Sequence, residues 1–331
     1  MRALQRLMLA GSTALVACNA IVGFGDFERV TGATERDDDD AGNRDSNRDA
    51  TAREDGMTRE DAPSAACDPT RPFGPPKALD GPVNSSGLED APSLTADELT
   101  MVFERTVDLT NRTIVVATRA SRTAAFSAPT PVTELQQGLN VAAVVTPTIT
   151  DDGLAIFYAG EIGDEADIYT ASRAVITAPF SNARKLGRVN TNRVEVYPSV
   201  MHDGAELWFT SERLGGITRH LFRSVRDNIG AYQDPTLVTE LQSSNNEAGV
   251  ALSADGLTIY FGTDRPGGLG GSDIWIAKRP SLQAAFGTPT PVTELSSTAE
   301  DRPAWLSRDG CRMYFTSDRA GTMDIFMAAR P

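Results

Sequence analysis

The stretch DGLTIYFGTDRPGGLGGSDIWIAKRP, Asp255 to Pro280, is one unit of a repeat. An Asp-Gly turn opens it. Leu257, Ile259 and Phe261 then alternate with smaller or polar neighbours, the period-two pattern of a half-buried strand. The glycine-rich PGGLGGS offers no side chains to pack and reads as a hairpin loop. After it, Asp273-Ile274-Trp275-Ile276-Ala277 starts a second strand, antiparallel to the first.

Copies of this unit can be counted. Phe73, Phe126, Phe180, Tyr232 and Phe286 open similar segments at intervals of 53, 54, 52 and 54 residues. Thr130 to Leu135 and Thr290 to Leu295 both read TPVTEL, and Leu237 to Leu241 reads LVTEL. The Asp-Gly turn recurs at Asp152-Gly153, Asp203-Gly204 and Asp309-Gly310, whereas the first repeat has Asp97-Glu98. Each period supplies short strands and no helical pattern, which is the signature of propeller blades. The expected fold is all-β, a five-bladed β-propeller of four-stranded antiparallel blades. The last repeat ends one strand short, and the first begins with an extra strand at Phe73 to Leu79, so that N-terminal strand is expected to complete the last blade and leave no open edge.

The ends of the chain carry other information. Residues 1–17 combine Arg2 and Arg6 with an apolar run from Leu7, too short to span a bilayer and laid out as a secretory signal. Leu15-Val16-Ala17-Cys18 resembles the lipobox of bacterial lipoproteins, which implies lipidation at Cys18 and anchoring to a membrane through the N-terminal lipid. Asn19, rather than Asp, after that cysteine implies the outer membrane, facing the periplasm. Residues 18–70 are expected to be a lipidated N-terminus and acidic tether: from Thr31 to Ala66 there is almost no large apolar residue, and Asp37 to Asp40 lack the glycine and ligand spacing of a calcium loop. The propeller is expected over 71–331. With Lys+Arg 31 against Asp+Glu 45, the formal net charge is −14, which argues against a nucleic-acid partner. The remaining cysteines, Cys67 beside the closing strand and Cys311 in the blade it closes, are expected to form a disulfide in an oxidising compartment.

The segments Leu252 to Gly256, Tyr314 to Arg319 and Asp324 to Phe326 resemble the TolB-like β-propeller repeat, P-x-x-S-x-D-G, Y-F-x-S-x-R and D-I-[YW]. The third to fifth repeats carry it most fully. The first two depart from it, with Glu104-Arg105 after Phe103 and Tyr158-Ala159-Gly160-Glu161 after Phe157. The resemblance implies a protein of the cell envelope that binds partners, another envelope protein or a glycan, as a monomer.

Chemistry is then sought at the channel. Glu89, Glu195, Glu247 and Glu300 sit three residues ahead of Pro92, Pro198, Val250 and Pro303, and are read as an incomplete ring of carboxylates at one mouth. Such a ring could hold a cation or, as a pair, cleave a glycoside, as in arabinanase-like propellers. Against this, Arg213, Arg265 and Arg319 follow the same glutamates in the same repeats, and the second repeat lacks both. Joint presence and loss favour a structural Glu–Arg latch. His202 and His220 have no evident partners, no H-E-x-x-H occurs, and Gly267 to Gly271 open no helix, so no cofactor, metal or catalytic group is expected and the chain is not expected to be an enzyme. Trp305 is the candidate aromatic for stacking a ligand.

Overall fold

The computed structural model describes residues 67–107, 111–201 and 204–331. The expectations for the signal sequence, Cys18 and the tether, and for His202, lie outside the described residues.

The Asp-Gly turns fix the hairpins. In the fourth blade Asp255 Oδ1 accepts from Ser253 Oγ and from Leu257 N at 2.9 Å, while Gly256 takes φ +66°. A side chain there would be strained and would meet Met201 Cε at 2.8 Å. Strands leave these turns in alternating register, one face toward each neighbouring blade.

Strand β1 (Lys77–Ala78) comes first. The first blade is β2 (Leu88–Leu94), β3 (Thr100–Thr106), β4 (Arg112–Thr118) and β5 (Thr130–Pro131); the second is β6 (Ala143–Ile149), β7 (Ala155–Ile162), β8 (Glu165–Ser172) and β9 (Ser181–Lys185). The third is β10 (Glu195–Val200), β11 (Glu206–Ser211), β12 (His220–Val225) and β13 (Thr236–Leu237). The fourth is β14 (Glu247–Leu252), β15 (Thr258–Thr263), β16 (Asp273–Lys278) and β17 (Thr290–Pro291), and the fifth has β18 (Asp301–Leu306), β19 (Arg312–Ser317) and β20 (Asp324–Ala329). Each sheet is antiparallel, and the last reads β1-β20-β19-β18, with Lys77 opposite Met327. The chain is therefore a five-bladed propeller of four-stranded sheets. The repeated TPVTEL segments prove to be the outer strands of the preceding blades; pairing stops at Pro131 and Pro291, and Thr133–Leu135 turns into a single 3-10 turn.

The core lies between blades. Trp208 and Leu221 pack with Ile259 and Phe261 at one junction, and Met101 and Phe103 pack with Trp305 and Tyr314 where the ring closes. Trp305 is 7% exposed and stands edge-on to Tyr314 at 5.7 Å, so the aromatic expected to stack a ligand serves chiefly as core.

Ring closure is reinforced by the residue that breaks the turn pattern. Glu98, in place of glycine, adopts φ +63°, and its carboxylate is 1% exposed. Arg312 of the last blade grips it through Nε at 2.9 Å and Nη2 at 2.6 Å, with Arg119 Nη2 at 3.3 Å. The backbone strain is thus held by bidentate charge-assisted bonds across the junction. Beside it, Cys67 and Cys311 form a disulfide across 244 residues, with Cα atoms 6.2 Å apart.

Reduction should be costly. In the chain-entropy account a loop of this length is worth about 5 kcal/mol, so reducing the folded protein should lower its melting temperature by roughly 10 °C. A scan with and without reductant checks this; unchanged melting would show that β-pairing alone holds the closure.

Candidate functional site at the channel mouth

Two ends of the ring can be told apart by topology. One carries the Asp-Gly turns; the other carries the hairpins between second and third strands, together with the first residues of the inner strands. The expected glutamates belong to the latter face, but they do not line its channel. Glu89, Glu195 and Glu247 are each 0% exposed. Each is ion-paired within its own blade: Arg105 Nε to Glu89 at 2.9 Å, Arg213 Nη2 to Glu195 at 3.4 Å, Arg265 Nη2 to Glu247 at 3.3 Å. In the fifth blade the place is taken by Asp301, also 0% exposed and bonded to Arg319, and not by Glu300. Strand register explains the slip: Asp301 pairs with Ser317 as Glu195 pairs with Ser211 and Glu247 with Thr263.

A hydroxyl four residues upstream completes every latch. Ser85, Thr191, Ser243 and Ser297 each donate both O–H and backbone N–H to the acid, the O–H bonds being 2.6 to 2.7 Å. The arginines also cap the carbonyls of Val83, Val189, Leu241 and Leu295, which lie in the connections arriving from the preceding blades. The Ser/Thr-x-x-x-Glu/Asp spacing fits Asp301 from Ser297 but equally Glu300 from Ser296, so strand register and not spacing decides between them. His220, expected to lack a partner, is hydrogen-bonded through Nδ1 to Glu247 at 2.9 Å. Burial raises the Glu247 pKa.

Because successive residues of a strand face opposite ways, the residues after the latch acids turn toward the channel. Asp90 follows Glu89 and Arg302 follows Asp301. A bulge then swings Tyr197 inward at φ +52°, the left-handed region that a bulky residue rarely occupies. The three meet across the ring: Tyr197 Oη donates to Asp90 Oδ2 at 3.0 Å, Arg302 Nη1 donates to Tyr197 Oη at 2.7 Å, and Arg302 Nη2 lies 3.3 Å from Asp90. The channel they cross retains ≈ 20 Å³, space for about one water.

Next to this plug lies Glu104, opposite Asp90 in the strand register and 3% exposed. Arg112 Nε donates to it at 2.9 Å and Thr146 N at 3.1 Å. Burial, reinforced by the Asp90 charge, pushes its pKa up to about 7. Arg112 also donates to Glu161 at 2.6 Å, on the wall of a polar cavity of ≈ 250 Å³. Val194, Tyr197 and Arg219 also line it. None of Asp90, Glu104, Tyr197 or Arg302 was singled out from the sequence as a site, because nothing local marks them; only the register beside a latch does. Among the described residues no cluster of three or more His, Cys, Asp or Glu is arranged to hold a metal ion.

No protein-family model matches the sequence, and no curated protein does either. Solved structures are similar in fold. An endo-arabinase from Bacteroides thetaiotaomicron aligns over 77% of this chain and 98% of its own, with TM-score 0.54 and 14% identity. An alpha-L-arabinofuranosidase from Podospora anserina aligns over 81% and 99%, with TM-score 0.50 and 13% identity. TolB from Agrobacterium tumefaciens aligns over 70% and 71%, with TM-score 0.47 and 15% identity. Identities at this level speak to the fold. The comparison also corrects one expectation: glycoside hydrolases stand among the chains similar to this one, so the expectation that it is not an enzyme does not stand.

Two outcomes follow for the site. Asp301→Ala leaves Arg319 without its carboxylate and should cost about 3 to 5 kcal/mol, while Glu300→Ala should cost under about 1 kcal/mol. Denaturant unfolding of both variants checks the assignment, and the reverse order would restore Glu300 to the latch. Glu104 has a folded-state pKa above its ordinary 4.5, so its contribution to stability is full below about pH 4.5 and is lost as pH rises through about 7. The stability of the native chain relative to Glu104→Gln should therefore fall across that window; a pH-independent difference would contradict the buried, protonated acid.

Proposed function

We propose that the chain is a lipid-anchored propeller of the bacterial cell envelope that binds another envelope component through its latch-bearing face. The observation that carries this reading is the make-up of that face. On the face that holds the polar cavity, exposed apolar side chains stand at the hairpins of the first, third and fourth blades: Val107 at 69% exposure, Leu214 at 52%, Ile217 at 86% and Leu269 at 56%. Apolar tips around a polar centre are the materials of a protein contact. The lipobox-like Leu15 to Cys18 and the acidic stretch after Thr31 support a tethered, membrane-facing arrangement. Among the described residues no helix is long and apolar enough to cross a membrane.

A second reading has an observation of its own. Asp90 and Glu104 are cross-strand neighbours, and the Glu104 pKa is raised to about 7, two of the elements that acid-base cleavage of a glycoside uses. Release of sugar from arabinan by the purified chain, lost in Glu104→Gln, would favour it.

The binding reading is checked by crosslinking in envelope fractions. Ile217→Asp combined with Leu269→Asp should abolish the crosslinked partner, Ile229→Asp on the turn face should leave it, and Cys18→Ala should move the protein to the soluble fraction. A partner lost with Ile229→Asp and retained with the latch-face pair would refute the assignment.

A further inference from the structure

A second set of repeated arginines lies at the turn-bearing end. Arg119, Arg279 and Arg330 occupy the same place after the third strand of their blades, each guanidinium over an aromatic ring: Phe126 at 4.5 Å, Phe286 at 4.6 Å and Phe73 at 3.9 Å. Each bonds through Nε or Nη1 to the carbonyl of the turn residue, Glu98, Gly256 or Gly310. What differs is Nη2. Arg119 Nη2 donates to Tyr314 Oη at 3.2 Å, and Arg330 Nη2 donates to Tyr260 Oη at 2.8 Å, a tyrosine from the second strand of the preceding blade in both cases.

At the junction of the third and fourth blades that tyrosine is replaced by Trp208. Register places Trp208 opposite Ser199 as Tyr260 is opposite Ala251 and Tyr314 opposite Trp305. Arg279, 5% exposed, is left with no hydrogen-bond partner for Nη2, as is Arg173 at the matching place in the second blade, over Phe180 and bonded to Gly153 O; at Arg279 Glu206 lies 4.0 Å away and the space stays open. A cavity of ≈ 480 Å³ opens here, within the range that small-molecule sites occupy. Its polar wall is particular to this blade: Trp208 Nε1 donates to Glu206 Oε2 at 3.1 Å, and Arg223 is bonded to the other oxygen while its Nε has no partner. The corresponding places hold Thr258, Tyr260 and Ile276 in the fourth blade.

The chemistry of the wall restricts the ligand. Arg223 and Arg279 face Glu206 and Glu240, so positive and negative groups balance and a charged ligand gains nothing overall. Guanidinium donors beside carboxylate acceptors suit hydroxyl groups, which both donate and accept, and Val238, Leu282 and Phe286 supply an apolar side. We propose that this cleft binds a neutral, hydroxyl-rich ligand such as a sugar ring, with one hydroxyl accepting from Arg279 Nη2 where a tyrosine hydroxyl does so at the fourth–fifth and fifth–first junctions. The site is separate from the latch-bearing face and does not depend on the function proposed for it.

The test is calorimetric titration of the full chain with D-galactose, L-arabinose and N-acetylglucosamine. At least one should bind saturably, and Trp208→Tyr, which restores the missing hydroxyl, should weaken it roughly tenfold or more. Arg223→Met should weaken it similarly, and Arg184→Met, on the exposed outer strand of the second blade, should not. The proposal is overturned if none of the sugars binds, if Arg184→Met alone removes binding, or if both cleft variants, folded by their melting, bind as the parent does. Tighter binding of glucuronate or phosphate than of any neutral sugar would equally overturn it.

Discussion

A carboxylate with no exposed surface must be given partners or it will not remain charged, and that constraint organises the latch-bearing face. Glu89, Glu195, Glu247 and Asp301 each receive a hydroxyl, a backbone N–H and a guanidinium. Each arginine in turn holds a carbonyl of the arriving connection and, in the third to fifth blades, lies over aromatic rings of its own blade, as Arg213 does over Phe209 and Phe222. One ion pair thus ties connection, inner strand and hairpin. By fixing the acid inward, it also fixes the next residue toward the channel, which is how Asp90 and Arg302 come to face each other.

The second blade is the exception, and the exception is informative. Val144 stands where the acid would be, opposite Gly160, and this latch-free blade supplies Val145, Glu161 and Glu165 to the wall of the mouth cavity. The repeat gives up its structural ion pair beside the polar opening. A similar relation holds at the other end, where replacement of a bridging tyrosine by Trp208 coincides with the cleft between the third and fourth blades. Where a repeat departs from its own pattern, a site has room to form.

Much of the fold was legible because its signals are local and repeated. Alternating Leu257, Ile259 and Phe261, the Asp-Gly turns and the 52-to-54-residue spacing all survive inspection one residue at a time. The latch was legible as a co-occurrence of Glu and Arg, but its fifth-blade member was misplaced by one residue, since proline spacing does not report strand register. Glu98 was visible as a missing glycine, yet its grip on Arg312 spans 214 positions and has no local trace. The channel groups were harder still. Asp90, Tyr197 and Arg302 come from three blades and meet only because the ring closes, and Tyr197 reaches inward through a bulge that the sequence does not announce.

The central claim is that the buried acid and arginine of each latch act as one unit. A double-mutant cycle on Glu247 and Arg265, each replaced by alanine singly and together, measures this most directly by denaturant unfolding. The account predicts single losses of about 3 kcal/mol or more and a coupling energy of at least about 2 kcal/mol, because removing the second partner relieves the charge stranded by the first. Additive losses with no coupling would contradict it, and would mean that the arginine is held by Leu241 O and its aromatic neighbours rather than by the carboxylate.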